Sequence, residues 1–201
     1  MRNLTMDWKP TDSAIRLLNR RAMRRFEKTS RQIARFDELS VMPACKQLYQ
    51  DIAKDNQEVF LELAKKCYQD AEVHGKEKPD RAWLFALLAG YSAVTGYVYE
   101  HEIDRKRAYL EEGLLSRTNH QNEFRRALRY WSDMTYQYAD DVTDSARIKA
   151  FTDAGVKRVQ WHTAGDEKVC QVCRERHGQI YPIDNIPDKP HRKCRCWLTP
   201  V

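Results

Sequence analysis

The sequence predicts a mainly α protein: an extended helical body carrying a small C-terminal, zinc-stapled β module, α+β overall. Three observations predict it. Apolar residues recur at spacings of three and four along most of the first 155 positions. Of only seven prolines in 201 residues, four (Pro182, Pro187, Pro190 and Pro200) fall in the last twenty. Four of the six cysteines crowd into 27 residues near the C-terminus. The division is placed at Gly155, giving a helical body over 1–155 and a Cys/His metal-binding module over 156–201.

In the body, a first helix is expected over 11–40, capped by Thr11 or Asp12. Ile15, Leu18, Ala22, Phe26, Thr29, Ile33 and Phe36 form its apolar face. The opposite face is basic: Arg16, Arg20, Arg24, Lys28, Arg31 and Arg35. Pro43 is expected to break the chain. Leu48, Ile52, Val59, Phe60, Leu63, Ala64 and Cys67 then continue helical periodicity to about Val73, with a second break near Asp55 and a stop at Gly75. Asp80 can cap a further segment through Trp83, Leu84, Leu87 and Leu88. The apolar-leaning stretch 82–98, interrupted by Gly90 and Gly96, reads as a buried helix. A charged helix is expected over 97–115. After Asn119 another begins, with Phe124, Leu128, Trp131, Thr135, Tyr138 and Val142 on one stripe, running toward Phe151 and ending near Gly155. Such a stripe faces a core or seats on a partner helix.

At Gly155 the pattern changes. Residues 156–163 alternate as a strand does, and 179–183 and 195–199 are further strand candidates separated by turns. About 45 residues with three short strands bury too little surface to be secure alone, and a metal would supply what that core lacks.

The cysteines supply the ligands. Cys45 and Cys67 stand alone on apolar helical faces and read as core residues. Cys170 and Cys173 form a CxxC, followed after a 17-residue loop by His191-Arg-Lys-Cys194-Arg-Cys196. Two such pairs suit a closed, tetrahedral structural zinc site. Five donors compete for four places. On the premise that a strand turns Cys194 and Cys196 to opposite sides, the favoured set is Cys170, Cys173, His191 and Cys194. Cys196 is the substitute for either of the last two. His162 and His177 lack chelating spacing and read as strand or turn residues.

No run of about 18 apolar residues occurs, and the first residues lack the apolar core of a signal peptide, so a soluble protein made in the reducing cytosol is expected. The net charge of +6 is uneven: +5 over 1–40, −3 over 41–156 and +4 over 157–201. Basic ends favour an anionic partner, nucleic acid or an acidic protein surface. No GxGxxG, Walker A, GxSxG or HExxH motif is present. Asp140-Asp141 and the acidic run 100–104 read as solvated helix faces. An enzyme is not expected. A metal-dependent nuclease of the His-Asn-His type would need a second histidine beside the metal, and a base-reading zinc module would need a recognition helix longer than 174–177 allows.

The run from Gly155 through Trp161, Asp166, Cys170 and Cys173, then Gly178-Gln-Ile-Tyr-Pro, then Pro190-His191-Arg-Lys-Cys194-Arg195-Cys196, closely resembles the phage head morphogenesis family. These are minor head proteins similar to protein F of phage Mu. The resemblance covers roughly the last 50 residues. It implies a low-copy head protein of a tailed phage or prophage, acting at or near the portal with portal or capsid proteins as partners. Assembly in the host cytoplasm, placement in the virion head and oligomer formation are further expectations. Some members associate with packaged DNA, which the basic helix bearing Arg20, Arg24, Lys28 and Arg31 would fit. Trp161 and Trp197 are expected to cover the metal site, with Asp166 capping or hydrogen-bonding the CxxC turn.

Overall fold

The computed structural model describes residues 9–71, 82, 86, 96–191 and 194–201. It is mainly helical, with a small three-stranded antiparallel sheet near the C-terminus. In chain order the elements are α1 (Lys9–Gln32), α2 (Glu38–Gln69), α3 (Gly96–Ser116), α4 (His120–Asp153), β1 (Arg158–His162), α5 (Gln171–Arg176), β2 (Ile180–Pro182) and β3 (Trp197–Pro200).

The single helix expected over 11–40 is two helices. The chain turns after Gln32, and Asp37 caps α2 by accepting the Ser40 backbone N–H at 2.9 Å. Ile33 and Phe36 keep their apolar roles within the turn: Ile33 is buried, and Phe36 stacks on His120 at 3.4 Å. Arg25 then pairs with Asp51 at 2.8 Å and Asp55 at 3.1 Å, while Arg21 reaches Glu58 at 3.3 Å, so α1 runs antiparallel to α2.

Neither Pro43 nor Asp55 breaks α2. Pro43 lies in the second turn, where the hydrogen bond it forgoes would have gone to the Leu39 carbonyl. Leu39 is 90% exposed, so this turn of the helix lies on the solvent side. Asp55 is buried and fully employed by Arg21 and Arg25. The helix ends at Gln69 with Asp70 as its cap. The expected stop at Gly75 and the cap at Asp80 lie outside the described residues. So does the apolar stretch 82–98, apart from Ala82, Ala86 and the first turn of α3.

Helix α4 begins after Asn119 as expected, and the Asn119 side chain caps it by accepting the Asn122 N–H at 3.1 Å. Its C-terminus closes as a Schellman turn: Gly155 N donates to Thr152 O and Val156 N to Phe151 O, both at 3.0 Å, with Gly155 at φ 78°. That left-handed position suits glycine and turns the chain into β1.

α1, α2 and α4 pack as a bundle. Near the α1–α2 turn its core gathers Phe26, Leu48, Tyr49, Ile52, Phe124 and Trp131, with Leu110 and Leu114 supplied by α3. At the other end Leu18, Phe60, Leu63, Val142 and Phe151 share one cluster with Val159 of β1. β1 is the middle strand of the order β2-β1-β3, with Val159 opposite Tyr181 on one side and Trp161 opposite Leu198 on the other. The sheet is thus seated on the bundle. No helix among the described residues is long and apolar enough to cross a membrane.

Candidate metal centre

The CxxC opens α5, a six-residue helix where only turns were expected. Cys170 is its N-cap, with its sulfur accepting the Cys173 N–H at 3.4 Å. One turn of helix brings the two sulfurs together. Gly178, at φ 79°, leads the chain back so that its N–H donates to Trp161 O at 2.7 Å. The loop after β2 then returns His191, Cys194 and Cys196 to the same place.

All five sequence-predicted donors converge. They form two triads, Cys170/Cys173/His191 and Cys173/Cys194/Cys196, each with ligand atoms within 4.8 Å of one another, sharing Cys173. Cys173 Sγ stands 3.4 Å from Cys194 Sγ and 3.7 Å from His191 Nε2. Two donors on one tetrahedral zinc, at about 2.3 Å for sulfur and about 2.0 Å for nitrogen, lie roughly 3.5–3.8 Å apart. The spacing fits common ligation and is far longer than a disulfide, about 2.05 Å. The cluster could hold a metal ion.

The expectation that Cys194 and Cys196 diverge is corrected. Residues two apart in an extended chain share a face, and it is Arg195 between them that points away. Cys194 and Cys196 are 2% and 3% exposed, and Arg195 is exposed. His191, by contrast, sits at the exposed rim.

The thiols differ in proton affinity. The Cys196 thiol donates to Cys194 and helps hold it down to about 5, while burial lifts Cys173 to about 12. Cys196 is pushed up because it donates to Cys194 and is buried, and Cys170 is lowered first by the Cys173 backbone N–H. Without a cation the pocket favours one thiolate held by its neighbours. A divalent ion held there would supply the charge that lets the other thiols ionise.

Trp161 roofs the cluster, 2% exposed and packed with Cys173, Cys194 and Cys196. Its indole N–H is buried with no conventional acceptor and lies against the Cys196 sulfur, to which it can donate once that sulfur is ionised. Trp197 does not cover the site. It lies on the other face of the sheet, stacked on His162 at 5.6 Å. Asp166 accepts from Lys168 N at 3.1 Å and from Arg195 at 2.6 Å, so it ties the approach to the CxxC onto the Cys-Arg-Cys segment that leads into β3.

His162 and His177 stand outside the cluster. They meet edge to face at 5.9 Å, one nitrogen of each already engaged: His162 Nε2 with Thr199 Oγ1 at 2.8 Å, His177 Nδ1 as acceptor of the Thr163 N–H at 3.2 Å.

Two further residues, unremarked in the sequence, position the return loop. Arg176 lies 5.1 Å over the Trp161 ring and donates to Asp188 O at 2.6 Å. Lys189 inserts between Asp140 at 2.9 Å and Asp144 at 2.7 Å on α4. Asp140 is therefore a buried anchor, 3% exposed, and not a solvated face. Burial lifts Asp140 to about 7 against the pull of Lys189, and Asp144 shifts the same way. Burial works against the Lys189 charge, but the two carboxylates outweigh it and hold the ammonium. A loop offers no periodicity, so nothing marked this lysine in advance.

No protein-family model matches the chain, and neither the curated proteins nor the solved structures hold a match to it.

Proposed function

We propose that this chain is a minor head protein of a tailed phage or prophage, acting in head assembly at or near the portal through protein contacts. In this reading the Cys/His cluster holds a structural zinc ion. The observation that carries it is the C-terminal pattern from Trp161 to Cys196, whose five donors meet in one cluster under Trp161. Zinc suits a mixed sulfur and nitrogen donor set without an oxygen ligand, and donors enough to fill a tetrahedron leave no position for a substrate. The ion's role is then to fasten the return loop against β1 and α5. The alternative of a base-reading zinc module is disfavoured by α5, whose six residues are too few for a recognition helix.

A tagged chain pulled from producing cells after nuclease treatment tests the reading. Co-purification of portal and capsid proteins is expected. Recovery of nucleic acid alone, lost on nuclease treatment, would overturn the head role.

A further inference from the structure

On the face of the sheet turned away from the bundle, side chains meet that the metal cluster does not use. His162 ends β1, its ring stacked on Trp197 of β3 at 5.6 Å and its Nε2 2.8 Å from Thr199 Oγ1. His177 caps the C-terminus of α5 and lies edge to face with His162 at 5.9 Å. Its Nδ1 accepts the Thr163 backbone N–H at 3.2 Å, and Thr163 Oγ1 stands equally close. The two rings thus fasten the end of β1, the end of α5 and strand β3 to one another. α5 carries Cys170 and Cys173, and β3 follows directly on Cys196, so the same pieces of chain frame the donor cluster.

The Thr163 bond decides the protonation state. A backbone amide only donates, so His177 Nδ1 carries a lone pair and the ring is the neutral Nε2–H form. A proton added there removes the acceptor and sets two N–H groups against each other. Protonating His162 as well puts like charges 5.9 Å apart. Burial, and then the field of His177, hold His162 below the ordinary histidine range, so this ring favours the neutral form too. Neither ring has a carboxylate partner among the described residues. Glu175 is engaged by Gln171 at 2.9 Å, Asp166 by Arg195, and Arg176 turns to Trp161 and Asp188 O. β3 offers only the uncharged Trp197 and Thr199, β2 offers Ile180, and Arg158 and Gln160 on the same face of β1 add a cation and an amide. We infer that the His162–His177 pair is an acid-released latch: neutral, it closes the metal module, and protonated, it opens the module and loosens the hold of the ligands on an ion. The opened chain takes up protons that the closed one excludes. Closure is therefore complete above about pH 6.5, the ordinary histidine value, and is lost as pH falls below it. The latch itself needs no ion, and only its effect on metal release rests on the zinc reading.

Hydrogen exchange of the full chain prepared with zinc, corrected for the intrinsic effect of pH, is followed at the Thr163 and Gly178 amides, the second of which donates to Trp161 O at 2.7 Å. Opening is expected to rise about tenfold between about pH 7.5 and 5.5, the loss of one hydrogen bond and its neutral ring. Release of zinc to excess chelator is expected to quicken by the same factor. A double variant, His162→Gln with His177→Asn, places amide groups where Nε2 and Nδ1 stand. It keeps acceptors for Thr199 and Thr163 with no proton to gain, and its opening is expected to stay flat across the range. An equal acid response in parent and variant would overturn the latch and assign the loss to thiol protonation. If the double variant does not fold, the parent alone decides by nuclear magnetic resonance: the Thr163 amide must shift together with the His177 ring protons on acidification, and independent titrations overturn the proposal. A chain that holds no zinc yet shows the acid opening removes the metal reading and leaves the latch standing.

Discussion

Cys173 belongs to both donor triads, whereas Cys196 and His191 each belong to one. Losing Cys196 or His191 leaves one triad intact, and losing Cys173 breaks both. Cys173→Ser should therefore lower zinc affinity by well over about 100-fold, and His191→Ala or Cys196→Ser by about tenfold or less. Competition against a calibrated chelator measures this, and equal losses in all three would refute a shared central ligand. Lys189 gives the second test at this scale. Its removal leaves the buried Asp140 without its ammonium and Asp144 with only the field of Arg147, which at neutral pH costs about 3 kcal/mol. The sign of the pH effect follows from Asp140. Its folded pKa, about 7, lies above its unfolded value, so the native state holds more protons between roughly pH 4 and 7 and this group's contribution improves as pH falls. The Tm gap between Lys189→Ala and the parent should be wide at pH 8 and narrower at pH 6. A gap that widens on acidification would contradict the anchor role.

Pro43 shows how an element can override a local signal. Its ring removes a donor within α2, yet the helix continues because Asp37 sets the first turn and the turn around Leu39, whose carbonyl loses its donor, lies on the solvent side. Pro43→Ala should restore that hydrogen bond at some gain in unfolded-chain entropy, a net stabilisation of about 1 kcal/mol, seen as a Tm rise of roughly 2–4 °C. A fall in Tm would mean the ring is packed usefully. The same element marks the limit of reading the sequence. Helix α4 was legible from Asn119 to Gly155 because cap, stripe and C-terminal glycine agree. The α1–α2 turn was not, because Ile33 and Phe36 keep the apolar spacing of α1 while serving the turn, and Asp37 is a cap inside what reads as a continuous helix. α5 is too short for periodicity to register, although the CxxC that caps it was plain. Cys194 and Cys196 were identified as donors but given the wrong geometry, since in the segment leading into β3 both turn into the cluster and Arg195 between them turns out.

The module and the bundle are joined at the scale of the whole molecule by Val159 in the bundle core and by Lys189 on α4. Metal loading of the cluster would therefore act on the bundle as well as on the loop that carries the candidate ligands. A bound ion would order the loop that presents Lys189, and an ordered loop presents the ammonium to Asp140 and Asp144 without further entropy loss. The anchor is weakened when the loop is released, leaving the buried Asp140 and the half-buried Asp144 of α4 short of the Lys189 ammonium. Chelation should then lower the Tm of the helical transition by about 5–10 °C, the shift that 2–3 kcal/mol makes in a chain of this size. Circular dichroism at 222 nm reports the helices, and tryptophan fluorescence reports Trp161 beside the cluster. Their melts should move together. A fluorescence change on chelation with an unmoved helical melt would show that the sheet merely rests on α4. Lys189→Ala then separates the two links. In that variant the shift on chelation should shrink while zinc stoichiometry is kept, because the ion still closes the loop and the loop no longer holds α4.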